Sequence, residues 1–326
     1  MVATPNPIGG TVLDTRTRHL ISLDDLPDAA LWDIVERGAE SARRAAIGVG
    51  VDTASLAGKV VGTLFRKTST RTRTAFTAGA LRLGAGVIGY GPDDLQLNTG
   101  ESTEDTGQVL SGMLDVLVAR TAGDPGEMRT WATQRRMAVV NAMSAEEHPT
   151  QALADLTTLT LRFGSVHDLR VLYVGEGNNT AAALALGLSR YRGVELDLRT
   201  PPGYGVAPDI LDRAAVRAAA SGATVCERHD LADLPKDLDV VYTTRWQTTG
   251  TNKPDPNWRT VFAPFQVTAE LMDTSPKAIF MHDLPAHRGE EVAAEVLDGP
   301  ASIAFQQAEN KMYSAMAVLE WCSGAL

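Results

Sequence analysis

The chain has 326 residues, a length that favours two domains over a single core. Its formal net charge of -10 argues against nonspecific binding to nucleic acid or to an anionic membrane. Cys226 and Cys322 are its two cysteines and form no metal-type Cys/His spacing, so we expect neither a disulfide framework nor a metal site. It has no signal-peptide pattern and no run of about 18 apolar residues. We therefore expect a cytoplasmic protein.

Strands and helices alternate through the first half. Residues 1–20 are rich in Pro, Gly and Thr and are expected to form an irregular arm, followed by a helix over 26–44 with apolar residues at helical spacing. Strands are then predicted at 59–65, 86–90, 115–119 and 137–142, and helices at 73–83, 102–113 and 126–134. Short-range alternation of this kind predicts an α/β domain with a mainly parallel sheet.

The second half repeats the alternation. A helix over 148–163 is expected to join the two domains, and strands are predicted at 169–175, 194–198, 239–243 and 278–281, with a helix at 209–221. Residues 245–264 lack periodicity, and so long a structureless stretch is more often functional than filler. An amphipathic helix over 303–324 is expected to pack back on the first domain. The predicted fold class is α/β, with two domains that each contain a mainly parallel sheet flanked by helices.

Hydroxyl and guanidinium groups follow the first predicted strand. Ser69, Thr70, Arg71 and Thr72 stand where the chain enters a helix, and the free N–H groups and partial positive charge of a helix start favour a bound anion. Such a turn suits a phosphate dianion. A polar N-cap beside solvated arginines is the alternative interpretation, and the turn by itself does not decide between them.

Polar residues also follow the other predicted strands. Ligands of open α/β sheets bind at the carboxyl ends of the strands, so these residues are expected to converge. They are Arg120 and Thr121, His148 to Gln151, Asn178 and Asn179, Thr244 to Gln247, and His282 to Pro285.

Four motifs, in order and in register, carry a family resemblance. The segments FRKTSTRTR, HPTQALAD, VGEGNN and HDLPAHRGEE resemble the ornithine and aspartate carbamoyltransferase family, most closely its ornithine branch. The resemblance implies an active site between two α/β domains and a homotrimer. Residues 1–148 would bind carbamoyl phosphate and residues 149–302 a small amine or amino acid, with no cofactor, no metal, no nucleic acid and no membrane.

The resemblance places carbamoyl phosphate on the first domain. Ser69, Thr70, Arg71 and Thr72 match the family's phosphate-binding turn; Arg120, His148 and Gln151 match the residues that hold the carbamoyl group; and Gln96 matches a glutamine that reaches the phosphate of a neighbouring subunit. An amine attacks the carbamoyl carbon, so Arg120, a neutral His148 and Thr72 are suitable donors to the developing oxyanion. Phosphate can leave and take up a proton by itself. Lys311 stands where the family has an arginine and keeps its charge without the fork geometry.

The acceptor side departs from the ornithine pattern. Asn179 matches an asparagine that contacts the substrate, but Thr244 replaces an aspartate, and Thr248 and Thr249 replace serine and methionine. Arg245 and Gln247 instead resemble the TRxQ segment of the aspartate branch, which binds a carboxylate. In the motif that contains Leu284, Asp283 replaces a cysteine, and its carboxylate is expected to bind an ammonium group or to accept its proton.

These departures predict retained carbamoyl transfer to a diamino acid other than ornithine, for example 2,3-diaminopropionate. The first alternative is ordinary ornithine transfer, and the second is a catalytically silent ligand-binding relative. The departures at Thr244, Asp283 and Lys311 favour the silent relative, whereas the intact donor-side residues oppose it. A dehydrogenase is disfavoured because the third glycine after Gly175 and Gly177 is replaced by Thr180.

Overall fold

A four-stranded parallel sheet forms the first half of the protein. The computed structural model describes residues 17–50, 54–248 and 251–326. The strands are β1 (Val60–Phe65), β2 (Gly86–Tyr90), β3 (Val116–Arg120) and β4 (Ala138–Asn141), in the order β2-β1-β3-β4. β3 and β4 are buried along their whole length, as expected for the continuous apolar runs of strands that helices cover on both faces.

Four helices accompany this sheet. They are α1 (Asp28–Ala46), α2 (Arg71–Arg82), α3 (Thr103–Ser111) and α4 (Gly126–Trp131). In α1, Leu31, Ile34 and Val35 are buried because their spacing places them on one face of the helix. The part of the predicted N-terminal arm up to residue 16 lies outside the described residues, but Leu20 forms a parallel bridge with Val140 of β4.

A five-stranded parallel sheet forms the second half. Its strands are β5 (Arg170–Val174), β6 (Glu195–Arg199), β7 (Thr224–Arg228), β8 (Val240–Thr243) and β9 (Ile279–His282), in the order β7-β6-β5-β8-β9. Its helices are α6 (Asn179–Leu188), α7 (Pro208–Ser221), α8 (Trp258–Phe262), α9 (Ala269–Asp273) and α10 (Ala294–Leu297). The predicted α/β fold class is confirmed.

Two features of this half differ from the prediction. β7 was not predicted, because it is a partly exposed edge strand without an apolar run. The segment 245–264 was interpreted as structureless, yet it contains α8, whose Trp258 and Phe262 are buried. α8 is only five residues long, too short for a helical periodicity to show in the sequence.

Two long helices lie against both halves. α5 (Pro149–Phe163) packs on α1 and α6, and α11 (Ala304–Cys322) packs on α1, α2 and α5. α11 also contacts β9 of the second sheet. The last helix of the chain thus returns from the second sheet to the first half. No helix among residues 17–50, 54–248 and 251–326 combines the length and the apolar character that a membrane span requires.

Candidate active site

A cavity of about 390 Å³ lies where the carboxyl ends of strands from the two sheets meet. Fifteen of the predicted site residues line it: Ser69, Thr70, Arg71, Thr72, Arg120, His148, Gln151, Asn179, Thr244, Arg245, Gln247, Thr248, Asp283, Leu284 and Lys311. Gln96 is exposed in a single 3-10 turn and does not line the cavity of its own chain. Thr249 lies outside the described residues. The convergence expected at the strand ends is therefore present.

The turn after β1 forms one wall of the cavity. Thr70 is the N-cap residue of α2 but makes no side-chain capping hydrogen bond, so the N-cap interpretation does not account for its hydroxyl. Thr72 is buried in the first helical turn, where backbone N–H groups are free to bind an anion. Arg71 donates through Nη2 to the Leu284 carbonyl oxygen at 2.5 Å. This hydrogen bond connects the first half to the loop that follows β9.

Arg120 and His148 are buried cavity residues. Arg120 ends β3 and is 8% exposed, and its pKa is lowered to about 10 by burial and by the neighbouring charge of Arg71. The pKa of His148 is held well below its usual value, first by burial and then by the charges of Lys311, Arg120 and Arg71. His148 is therefore a neutral imidazole near neutral pH. A guanidinium and a neutral ring are both suitable donors to an oxyanion.

A buried hydrogen-bond network supports the floor of the cavity. Lys311 donates through Nζ to Oε1 of Gln151, whose Nε2 donates to Asp155 Oδ1 at 2.8 Å. Asp155 Oδ1 also accepts from Gln307 Nε2 at 2.7 Å, and Oδ2 accepts from the Tyr242 hydroxyl at 3.0 Å. Burial raises the pKa of Asp155 and lowers that of Lys311. Lys311 is thus held by the Gln151 amide, which Asp155 in turn holds in place.

Asp283 supplies a carboxylate at the opposite wall. Oδ1 accepts from the Thr244 hydroxyl at 2.8 Å, and Oδ2 accepts from the Thr180 hydroxyl at 3.0 Å. Electrostatic attraction to Asp283 opposes the burial-driven lowering of the pKa of Arg71 and of Lys311. The carboxylate therefore faces a cavity whose other charged groups are cationic.

The loop of residues 244–248 and 251–257, called the acceptor loop after its predicted role, contributes Thr244, Arg245, Gln247 and Thr248 to the cavity wall. Arg245 has a buried Nε atom without a hydrogen-bond partner among the described residues. Gln247 donates through Nε2 to the Thr251 carbonyl oxygen at 3.1 Å. The Thr248 hydroxyl accepts from Asn178 Nδ2 at 2.9 Å and donates to Glu176 Oε2 at 3.1 Å. Arg245 thus lines the cavity with an unpartnered Nε, whereas the Thr248 hydroxyl already has two protein partners.

Two asparagines follow β5. Asn179 donates through Nδ2 to the Ser144 carbonyl oxygen at 2.7 Å, which joins the start of α6 to the segment before His148. Asn178 is the N-cap of α6 and accepts from the backbone N–H groups of Thr180 and Ala181. Both asparagine side chains thus make structural hydrogen bonds and also line the cavity.

The structure adds residues that sequence reasoning did not assign to the site. The added lining residues are Thr68, Met143 and Thr180, while Asn178 and Pro285 were expected at the strand ends without an assigned role and also line the cavity. Thr180 directly follows the VGEGNN motif, so that motif was the available signal; no signal marks Met143.

Glu147 stands next to His148 in the chain and supports the site from outside the cavity lining. It is 3% exposed and accepts from the Ser22 hydroxyl at 2.5 Å and from the Leu23 backbone N–H at 2.8 Å. Burial raises its pKa to about 7. Glu147 therefore fastens residues 22–23 to the segment that carries His148.

Two family models match the chain. The carbamoyl-P binding domain of aspartate/ornithine carbamoyltransferase matches residues 18–160, and the Asp/Orn binding domain of the same family matches residues 167–322. The chain belongs to the aspartate/ornithine carbamoyltransferase family. It is a carbamoyltransferase with carbamoyl phosphate as the donor, and the family recognised in the four motifs is confirmed.

Similar proteins of this family match along most of the chain. An ornithine carbamoyltransferase of Symbiobacterium thermophilum is 40% identical over 93% of this chain and 96% of its own length. The Bacillus subtilis ornithine carbamoyltransferase is 38% identical over 81% of this chain and 82% of its own. The structure of the Pyrococcus furiosus ornithine carbamoyltransferase superposes with a TM-score of 0.88 at 35% identity, over 95% of this chain and 98% of that one.

Proposed function

We propose that this carbamoyltransferase acts on an amine of a diamino acid other than ordinary ornithine, for example 2,3-diaminopropionate, and releases a ureido product and phosphate. The observation that carries the proposal is Asp283, a carboxylate held by two threonine hydroxyls inside the cavity. A carboxylate binds an ammonium group, whereas the cysteine of the family pattern is not a charged partner. Asp283 binds the incoming ammonium group, weakens its repulsion from Arg71 and Arg120, and accepts one of its protons, so that a neutral amine attacks the carbamoyl carbon.

The donor side would work through the groups around the first turn of α2. Ser69, Thr70, Arg71 and Thr72 bind the phosphate, because a helix start and a guanidinium favour a dianion. Arg120, His148 and Thr72 donate to the carbamoyl oxygen, on which negative charge grows as the C–N bond forms. Gln151 and Lys311, connected to each other, position the carbamoyl group. The C–O bond to phosphate then breaks, and the phosphate accepts the proton of the amine.

The acceptor side would hold an amino acid at both of its ends. Arg245, with its unpartnered Nε, and Gln247 bind the carboxylate of the acceptor, while Asp283 and Thr244 hold its reacting amine. Asn179 and Leu284 line the space between. Thr248 connects the acceptor loop to the β5–α6 turn through its hydrogen bonds to Asn178 and Glu176. The role of Thr249 stays a prediction from the sequence.

A homotrimer is part of the proposal. Gln96 is exposed and does not line the cavity of its own chain, which is consistent with a residue that serves a neighbouring subunit. The same half exposes three large hydrophobic side chains: Ile88 on the edge strand β2, Val109 in α3 and Met113 just after α3. Exposed apolar side chains of this kind favour burial in an interface. The proposed division of labour assigns the donor to residues 1–148 and the acceptor to residues 149–302.

Ordinary ornithine transfer is the second candidate, since the similar proteins described above are named ornithine carbamoyltransferases. Phosphate release from carbamoyl phosphate distinguishes the two when it is measured with ornithine, putrescine, 2,3-diaminopropionate, 2,4-diaminobutyrate and aspartate. We expect a diamino acid shorter than ornithine to have the highest kcat/KM, because a site built for one polar arrangement discriminates strongly against another. Robust turnover of ornithine alone would refute the proposed acceptor.

A substitution in the turn after β1 tests the donor site. Arg71→Ala should abolish amine-dependent phosphate release with every acceptor. If that variant retains the wild-type rate, the assignment of the phosphate site is wrong.

A further inference from the structure

A partly buried ion pair connects the acceptor loop to the β5–α6 turn, outside the residues assigned to substrate above. Lys253 Nζ is 2.5 Å from Glu176 Oε1, and the two side chains are 3% and 16% exposed. Desolvating two charges is costly, and such a pair is retained only where further contacts hold both partners. Glu176 belongs to the β5–α6 turn and Lys253 to the acceptor loop, so the pair joins two walls of the cavity.

Aromatic rings surround the ammonium group of Lys253. The Nζ atom lies 4.7 Å from the ring centroid of Tyr204, 4.5 Å from that of Phe262 and 5.2 Å from that of Trp258. Ring faces attract a cation, more strongly when it is desolvated. Trp246, which stands between Arg245 and Gln247 in the chain, packs on Phe262 with ring centroids 5.6 Å apart. The lysine is therefore built into the same cluster that anchors the acceptor loop.

The second oxygen of Glu176 connects the pair to the cavity. Glu176 Oε2 accepts from the Thr248 hydroxyl at 3.1 Å, and that hydroxyl accepts from Asn178 at 2.9 Å. Thr248 and Asn178 both line the cavity. A continuous set of contacts thus runs from the aromatic cluster, through Lys253 and Glu176, to two cavity residues.

The β5–α6 turn is itself packed tightly enough to act as a fixed base. Gly177 donates its backbone N–H to the Tyr204 carbonyl oxygen at 2.8 Å. A Cβ atom at position 177 would lie 2.1 Å from the backbone nitrogen of Val206, so only glycine permits this approach. Glu176 therefore projects from a rigid turn toward the acceptor loop.

We infer that Glu176 and Lys253 are positioning residues that hold the acceptor loop in its binding geometry and so set the affinity for the acceptor. The inference rests on the proposed function, in which Arg245 and Gln247 of this loop bind the carboxylate of the acceptor. Neither Glu176 nor Lys253 touches the donor side of the cavity. Their loss should affect the acceptor and leave carbamoyl phosphate binding intact.

The test is steady-state kinetics of Glu176→Gln and Lys253→Met, with each substrate varied separately. We expect the KM for the best acceptor of the amine panel to rise by about tenfold or more, because small displacements of binding groups are costly. The KM for carbamoyl phosphate should stay within about twofold of wild type, since the ends of β1 and β3 are untouched. Lys253→Arg keeps the charge and the attraction to the rings, and it should retain most of the wild-type affinity. Arg192→Met, which breaks the exposed pair with Asp168 at 2.8 Å, is the matched control and should change neither KM.

Amide hydrogen exchange provides a readout that needs no turnover. We expect faster exchange in residues 244–248 and 251–257 of both variants, with α2 and β3 unchanged. Wild-type acceptor KM and wild-type exchange in both variants would overturn the inference, as would an equal loss of affinity for both substrates. If the wild-type enzyme turns over no amine while exchange in this loop still accelerates in the variants, the proposed acceptor fails and the positioning of the loop stands.

Discussion

Replacing Glu147 by Gln should make the protein more stable at neutral and alkaline pH. Burial raises the pKa of Glu147 from 4.5 to about 7. Between these values the native state retains a proton that the unfolded chain has released, so the free energy of unfolding falls as the pH rises. The free energy of unfolding falls by about 1.4 kcal/mol per pH unit in that window, and by about 3 kcal/mol in total. Above pH 7 the carboxyl is ionised in both states, and the loss is complete.

Glutamine can keep both hydrogen bonds of this site without ionising. Its Oε1 atom can accept from the Leu23 N–H as Glu147 does, and its Nε2 group can donate to the Ser22 hydroxyl. Relative to wild type, the variant should therefore gain no stability at pH 4.5 and about 3 kcal/mol at pH 7.5.

Urea-induced unfolding followed by circular dichroism, at intervals from pH 4.5 to pH 8, measures this difference. The contributions of other titrating groups to the free energy of unfolding cancel when the variant is compared with wild type at each pH. Glu147→Ala, which removes both hydrogen bonds, is the control for loss of contacts and should be less stable than the Gln variant at every pH. Stability curves of wild type and Glu147→Gln that run parallel through this range would refute a buried carboxyl with a raised pKa.

Two further predictions concern the cavity. Lys311→Arg should move the alkaline limb of the pH profile of kcat/KM for carbamoyl phosphate to higher pH, because burial lowers the pKa of Lys311 whereas a guanidinium keeps its proton. Initial rates from pH 6 to 9.5 measure this shift. Alkaline limbs that superimpose for variant and wild type would contradict the prediction. Asp283→Asn should lower kcat/KM for the acceptor by roughly tenfold to a hundredfold, since a hydrogen bond to a charged group contributes about 1.5–3 kcal/mol. An unchanged kcat/KM for the acceptor would exclude Asp283 from binding the amine.

The sheets and most of the cavity wall could be predicted from the sequence because both have local causes. Apolar strands such as Val116–Arg120 are continuous runs, and the ends of parallel strands converge, so Thr72, Arg120 and Asp283 were correctly expected in one cavity. The family itself was recognisable because four motifs stand in register.

Other parts of the site depend on contacts that no local pattern reveals. Glu176 and Lys253 are separated by 77 residues, and their partnership depends on how the acceptor loop folds over the β5–α6 turn. Asp155 stands four residues after Gln151 and has the sequence context of an ordinary polar helix residue, yet it is fully buried and its hydrogen bonds join α5, β8 and α11. The contacts of such residues depend on tertiary packing, which neither residue spacing nor composition reveals.

The division of the cavity between two sheets bears on how such an enzyme can evolve. In the proposed function, the donor wall comes from residues 68–151 and most of the acceptor wall from residues 178–285, which are separate, contiguous stretches of gene. Recombination after α5 could therefore exchange one substrate specificity for another in a single event and spare the donor chemistry. Lys311 sets the limit, because α11 returns to the first half. A transplanted segment has to end before Ala304 if the recipient is to keep its own lysine.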